Sequence, residues 1–179
     1  MGSKMRRSLV IDSNIGRAAG ETEHPISSQC RKFLNEVRTI CHRMVVTEDI
    51  RNEWNRHESK FSKKWRTSMA RMGKLVAVDP QAGRSLDKDI ETFATTTKKK
   101  DAMLKDAHLL IAAMESDRIV VSKDDNARKF FSELSESVKE IGEVAWVNPV
   151  SAEADTIAWL KAGAKNEKKR RLSKFKRDT

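Results

Sequence analysis

Five short runs with apolar centres, none alternating with polar residues, constrain this chain more than any other feature. They are Ser8 to Asp12, Met44 to Val46, Leu75 to Val78, Arg118 to Ser122 and Val144 to Val147. A strand with one wet face alternates apolar and polar side chains. A run that does not alternate reads as buried on both faces, and such strands sit inside parallel sheets. Parallel neighbours need crossovers, and the intervening segments have the helical period to supply them. Pro25 opens one in which Ile26, Cys30, Phe33, Leu34, Val37, Ile40 and Cys41 recur at three- and four-residue steps. Thr47 is placed to cap a second helix from about Glu48 to Gly73, with Ile50, Trp54, Phe61, Trp65, Met69 and Met72 on a drifting stripe. Because these aromatics keep helical register, they are expected in the core rather than as platforms for bases. Further helices are predicted over Leu86 to Ala94, Ala102 to Met114, Ala127 to Ile141 and about Ala152 to Ala162. Gly83 marks a loop, and Thr95 to Lys100 forms a polar, basic connector. Strand and helix in alternation predicts an α/β fold, a three-layer α/β/α sandwich with a central parallel sheet.

A chain of 179 residues suits one core. No apolar run approaches the ~20 residues of a membrane span, so a cytoplasmic protein without a membrane partner is expected. The basic residues 1–7 read as an N-terminal extension. Cys30 and Cys41, placed on one helix, are separated by roughly 16 Å and read as free thiols. No Cys or His spacing suits zinc, and His24, His42, His57 and His108 are too scattered to suggest a His-based metal site.

The charge is uneven. Of the net +10, residues 161–179 carry +7, with nine Lys or Arg against Glu167 and Asp178. A cationic tail on a nearly balanced body favours a polyanionic partner, because each phosphate contact releases counterions. A solvated tail that only aids solubility is the alternative. The candidate nucleic-acid contacts are Lys98, Lys99 and Lys100 in the connector and Lys168, Lys169, Arg170 and Arg171 in the tail. Arg51, Arg56, Lys60, Lys63, Lys64, Arg66 and Arg71 form either a solvated face or one wall of a groove.

Four acids stand out against their surroundings. Asp12 ends the first run abruptly. Asp124 follows the fourth run within two residues. Glu53 comes early in the helix after the second run. Asp106 interrupts the stripe Ala102, Met103, Leu110, Ala113, where a charge is costly unless it faces a cation or a wet cleft. Each has an ordinary alternative: Asp12 starts a turn, Asp124 or Asp125 caps a helix, Glu53 lies on the surface, Asp106 pairs with Lys105 or Lys123. Taken together, acids at one sheet edge would repel one another unless a cation sat between them. Oxygen-only donors select a hard divalent ion, Mg²⁺ or Mn²⁺, which orients a phosphate and offsets charge in an in-line displacement.

These residues resemble the PIN-domain nucleases. The resemblance lies in Leu9-Val10-Ile11-Asp12-Ser13-Asn14, in Val46-Thr47-Glu48-Asp49-Ile50-Arg51-Asn52-Glu53, in Lys105-Asp106-Ala107-His108-Leu109-Leu110-Ile111-Ala112-Ala113, and in Val120-Val121-Ser122-Lys123-Asp124. It implies a nuclease domain over residues 8–150, followed by a C-terminal helix and basic tail over 151–179. It further implies that Asp12, Glu53, Asp106 and Asp124 hold one or two Mg²⁺ or Mn²⁺ ions and hydrolyse single-stranded RNA or, in some branches, other nucleic acids. Asp12 would be the central ligand, Glu53 a ligand or the group that positions water, and Asn14 and Ser122 supporting hydrogen-bonders. Glu48 competes with Glu53, and the spacing from Thr47 favours Glu53. Many members are toxins with an antitoxin partner, and dimers are common. The long second helix, the connector and the tail depart from the compact toxins.

Two rival readings are weighed beside this one. Haloacid dehalogenase-like phosphatases also place an Asp after the first strand, but their general acid two residues later is here Asn14, which cannot donate a proton in that role. The other rival is a PIN-like module that binds RNA or a partner protein without cleaving.

Overall fold

The computed structural model describes residues 5–80 and 85–175. The five runs form strands β1 (Ser8–Ile11), β2 (Arg43–Val46), β3 (Leu75–Ala77), β4 (Ile119–Val121) and β5 (Ala145–Val147). They make one all-parallel sheet in the order β3-β2-β1-β4-β5. Every residue of β1, β4 and β5 is buried, as the lack of alternation requires, whereas β3 is a half-exposed edge. The helices are α1 (Ser13–Ala18), α2 (Pro25–Ile40), α3 (Glu48–His57), α4 (Lys60–Arg71), α5 (Asp87–Phe93), α6 (Thr97–Met114), α7 (Asp125–Leu134) and α8 (Thr156–Lys161). They cover the sheet to give the three-layer α/β/α sandwich, with α6 lying against β1 and β4 and flanked by α5 and α7. Among the described residues no helix is long and apolar enough to cross a membrane.

The expected long second helix is two helices. α3 ends at His57, and Ser59 caps α4 by accepting the Ser62 N–H at 3.1 Å. The break docks onto α1: the Ser59 hydroxyl donates to the Ala19 carbonyl at 2.6 Å, and the Ser62 hydroxyl donates to that of Gly16 at 2.7 Å. Turning the chain there lets Trp54 and Trp65 both face inward, stacked with centroids 5.9 Å apart. Both are core residues, as the register predicted, while Met72 at the end of the stripe is exposed. α1 itself is not predicted by the pattern. It crosses α3 so closely that a Cβ on Gly16 would lie 2.7 Å from the Trp54 ring.

Other boundaries shift for local reasons. Thr96 caps α6 by accepting the Lys99 N–H, so Lys98, Lys99 and Lys100 belong to the first turn of that helix rather than to a connector. α7 stops at Leu134, and Lys139–Glu143 is a separate 3-10 turn. Cys41 lies just past α2 as its left-handed cap, with φ 75°. Both cysteines are free, and burial raises the Cys30 thiol to about 11. Gly83 and residues 176–179 of the tail lie outside the described residues.

The segment after residue 150 is part of the same core. Trp159, Leu160, Ala164 and Leu172 are buried in it. His42, buried at the head of β2, accepts the Arg7 N–H at Nδ1, and its Nε2 lies 2.9 Å from the Leu160 carbonyl, which ties α8 down. Further on, Arg171 forms an antiparallel bridge with Ala145, and the Leu172 N–H donates to the Val144 carbonyl at 2.9 Å. The basic segment thus covers the outer edge of β5, a row of backbone groups that would otherwise be open to pairing with another chain.

Candidate active site

β2 and β3 lie to one side of β1, and β4 and β5 to the other, so the strand order reverses between β1 and β4. In open α/β sheets the crevice outside the carboxyl ends of such strands is where ligands bind. Asp12 directly follows β1. Ser122 and Asp124 follow β4, and the register Ile11↔Val121 sets the two strand ends side by side.

A hydrogen-bonded lattice joins them. Asp12 Oδ1 accepts the Asn14 N–H at 3.2 Å, and Oδ2 accepts the Ser122 hydroxyl at 2.7 Å. Ser122 Oγ accepts from the Asn14 amide at 3.0 Å and from the Asp124 N–H at 3.1 Å, while Asn14 Oδ1 accepts the Lys123 N–H at 3.2 Å. Asn14 and Ser122 therefore clamp the two strand ends together and fix the Asp12 rotamer. Asp12 caps α1, and Asp124 caps α7 by accepting the Ala127 N–H at 2.9 Å. Capping and a second role are compatible, because an ionised carboxylate offers about four lone-pair directions and a cap uses one.

Asp106 lies on the buried side of α6, and no hydrogen bond reaches its carboxyl among the described residues. It forms no ion pair with Lys105 or Lys123 there. Its carboxyl is pushed up to about 7, first by burial and then by the charges of Asp12 and Asp124, with Lys105 opposing and Glu53 adding a smaller push. Burial also raises Asp12, against the bonds from Ser122 and Asn14; Glu53 adds to the rise and His108 opposes it. Asp106 thus lies within reach of the charges of the other three acids, and Asp12 within reach of that of Glu53. Glu53, and not Glu48, is the α3 acid that reaches Asp12 and Asp106. The acids meet through charge rather than by sharing a point: among the described residues no three His, Cys, Asp or Glu side chains are gathered closely enough to hold a metal ion.

The pattern of the sequence misses one neighbour. His108 Nε2 lies 3.5 Å from Glu53 Oε2 and is buried without a hydrogen bond, while Nδ1 lies 2.9 Å from the Lys105 carbonyl. The signal was present only as His108 two residues after Asp106, and the meeting with Glu53 depends on how α3 packs against α6.

The basic candidates divide by their surroundings. Lys99 bonds Glu133 at 2.8 Å and lies over the rings of Phe93 and Phe130, and Lys100 pairs with Glu91. Arg170 pairs with Glu167, and Arg171 with Glu143. Lys98, Lys168 and Lys169 are exposed, with Lys169 3.6 Å from Glu167. No family model, no curated protein and no solved structure matches the chain.

Proposed function

We propose that this protein is a metal-dependent endonuclease of the PIN-like type, acting on single-stranded RNA. The observation that carries the reading is the hydrogen-bonded lattice of Asp12, Asn14, Ser122 and Asp124 at the point where strand order reverses, with the buried carboxyl of Asp106 raised to about 7 by burial and by the charges of Asp12, Asp124 and Glu53. Folding a charged, buried acid among three others is costly, and a bound cation would offset that cost. The donor set fits a hard divalent ion, since all four groups supply oxygen. Mg²⁺ or Mn²⁺ there would lend Lewis acidity to a phosphate and lower the pKa of water.

The chain's own residues do the rest. Ser122 and Asn14 hold Asp12 in one orientation, so its remaining lone pairs point in a fixed direction. Asp124 is held likewise by its cap. Glu53, partly buried on α3 and 3.5 Å from His108, would orient a water and accept its proton. Asp106, raised to about 7, would be held in its charged form to lower pH by a bound cation.

A second reading, a PIN-like module that binds RNA or a partner protein without cutting, is favoured by the absence of three donors gathered around one point among the described residues. One assay separates the two. Labelled single-stranded RNA and DNA are incubated with the protein in Mg²⁺, Mn²⁺ and EDTA. The nuclease reading expects RNA cleavage that EDTA stops and that Asp12→Ala lowers by about a thousandfold or more, the usual scale for losing a principal catalytic group. Cleavage that survives Asp12→Ala sinks the nuclease reading. RNA binding without cleavage establishes the second one.

A further inference from the structure

The four tryptophans sort into three that are satisfied and one that is not. The indole N–H groups of Trp54, Trp65 and Trp159 donate to the carbonyls of Ile11, Leu34 and Lys165. Trp146, 1% exposed on β5, has no partner for its indole N–H. A buried donor left unpaired costs about 1–3 kcal/mol, so it calls for a ligand or water. Trp146 and Arg128 are among the residues that line a cavity of ≈ 740 Å³, and Nε of Arg128 is a second buried, unpartnered donor. Phe175 packs against the Arg128 guanidinium at 4.3 Å.

The charge around this cavity is one-sided. Arg128, Lys168, Lys169, Arg170 and Lys174 line it, and Glu153 is the single acid among its described lining residues. Arg170 is engaged by Glu167 and the Ala154 carbonyl, but Lys168 and Lys174 are exposed and form no ion pair among the described residues. A cavity ringed by Lys and Arg side chains matches an oxyanion, since a phosphate accepts several hydrogen bonds and carries the opposite charge.

The cavity also reaches the carboxyl edge of the sheet. β5 pairs with β4 in the register Val121↔Val147, which puts Asn148 beside Ser122 at the sheet edge. Asn148 lines the cavity, and its amide donates to Asp125 Oδ2 at 3.2 Å, one residue from Asp124. Asn148 thus ties the lining of the cavity to the segment that carries Asp124. A volume of ≈ 740 Å³ lies within the range of sites that take nucleotide-sized ligands, and exceeds what an inorganic anion would fill.

We propose that this cavity is a phosphate subsite for a nucleic-acid strand. It takes a backbone phosphate, with Lys168, Lys169, Lys174 and the Arg128 guanidinium as donors and counter-charges and the buried indole of Trp146 as the neighbour that senses it. The choice of a strand as ligand rests on the nuclease reading; the affinity for phosphate does not. The subsite gives the C-terminal basic segment a defined role: by folding back over β5 it builds one wall of the binding surface.

Trp146 supplies the test. The ¹⁵N-labelled full-length protein, in EDTA so that nothing is cleaved, is titrated with a four-residue oligouridylate, with uridine and with inorganic phosphate while the four indole N–H signals are followed. The oligomer should move the Trp146 signal saturably and leave the other three in place. Uridine should move none, and inorganic phosphate should move the same signal with weaker affinity. The exposed pair Lys168→Ala and Lys169→Ala, remote from the core, should weaken oligomer binding about tenfold and flatten its salt dependence. Asp12→Ala should leave the shift unchanged, so a failed subsite and a failed nuclease are distinguishable. The proposal is overturned if the oligomer leaves Trp146 unmoved or if uridine moves it as well as the oligomer does. It is also overturned if inorganic phosphate binds as tightly as the oligomer, which would make the cavity a free-anion site.

Discussion

Asp106→Asn melts higher than the wild-type protein at pH 8 in EDTA, and the difference closes as the pH falls toward 4. The native carboxyl titrates at about 7 against an ordinary 3.8. Between those values the folded chain keeps a proton that the unfolded chain has lost. Stability from this group is therefore complete below about pH 4 and is lost as the pH rises through 7. A shift of this size corresponds to a ceiling of about 4 kcal/mol, at ~1.4 kcal/mol per unit. For a domain of this length that is roughly 10 °C. The amide has no charge to desolvate and no repulsion to bear from Asp12, Asp124 and Glu53, so it escapes the penalty. Mg²⁺ should raise the wild-type melting temperature at pH 8, because a cation offsets the same repulsion, and should raise that of Asp106→Asn much less. A variant that melts lower at pH 8, or that gains as much from Mg²⁺ as wild type does, contradicts this account of the site.

Trp54→Ala is expected to cost about 3–5 kcal/mol, the scale for deleting a buried aromatic side chain. Three losses coincide there. The indole fills the space above Gly16, where α1 crosses α3, and it stacks on Trp65. Its N–H donates at 2.8 Å to the Ile11 carbonyl, the last residue of β1 before Asp12. Trp54→Phe should keep most of the stacking and lose the hydrogen bond, for about 1–2 kcal/mol. Urea unfolding of the three proteins orders them. Equal stability for Trp54→Ala and wild type would mean that α3 does not brace the strand end that carries Asp12.

The sheet was legible because burial on both faces removes alternation, and the crossover helices were legible because their apolar stripes are long. α1 left no such trace: in six residues its buried side chains are Ser13 and Ile15, with Gly16 beside them. The break at Ser59 was hidden because the stripe continues in both halves, and the cap that marks it is one hydroxyl. Lys98 to Lys100 read as a connector because the first turns of α6 are polar and its buried face begins at Met103. The acids could be found as exceptions to their local pattern, since a carboxylate on an apolar stripe or at a strand end is conspicuous. The Glu53–His108 contact and the Trp146 cavity could not. Both depend on packing between segments far apart in the chain, and the cavity depends on the tail folding back over β5.

The most direct test needs no knowledge of the RNA sequence that the protein cuts. Mn²⁺ is added to the metal-free protein at pH 7.5, and the free ion is followed by electron paramagnetic resonance. The account predicts that wild-type protein withdraws the free Mn²⁺ signal saturably, with one or two ions per chain, and that Asp12→Ala and Asp106→Asn leave most of it in solution. Retention of Mn²⁺ by both variants at the wild-type level, or none by any of the three, would contradict a metal site built on these carboxylates.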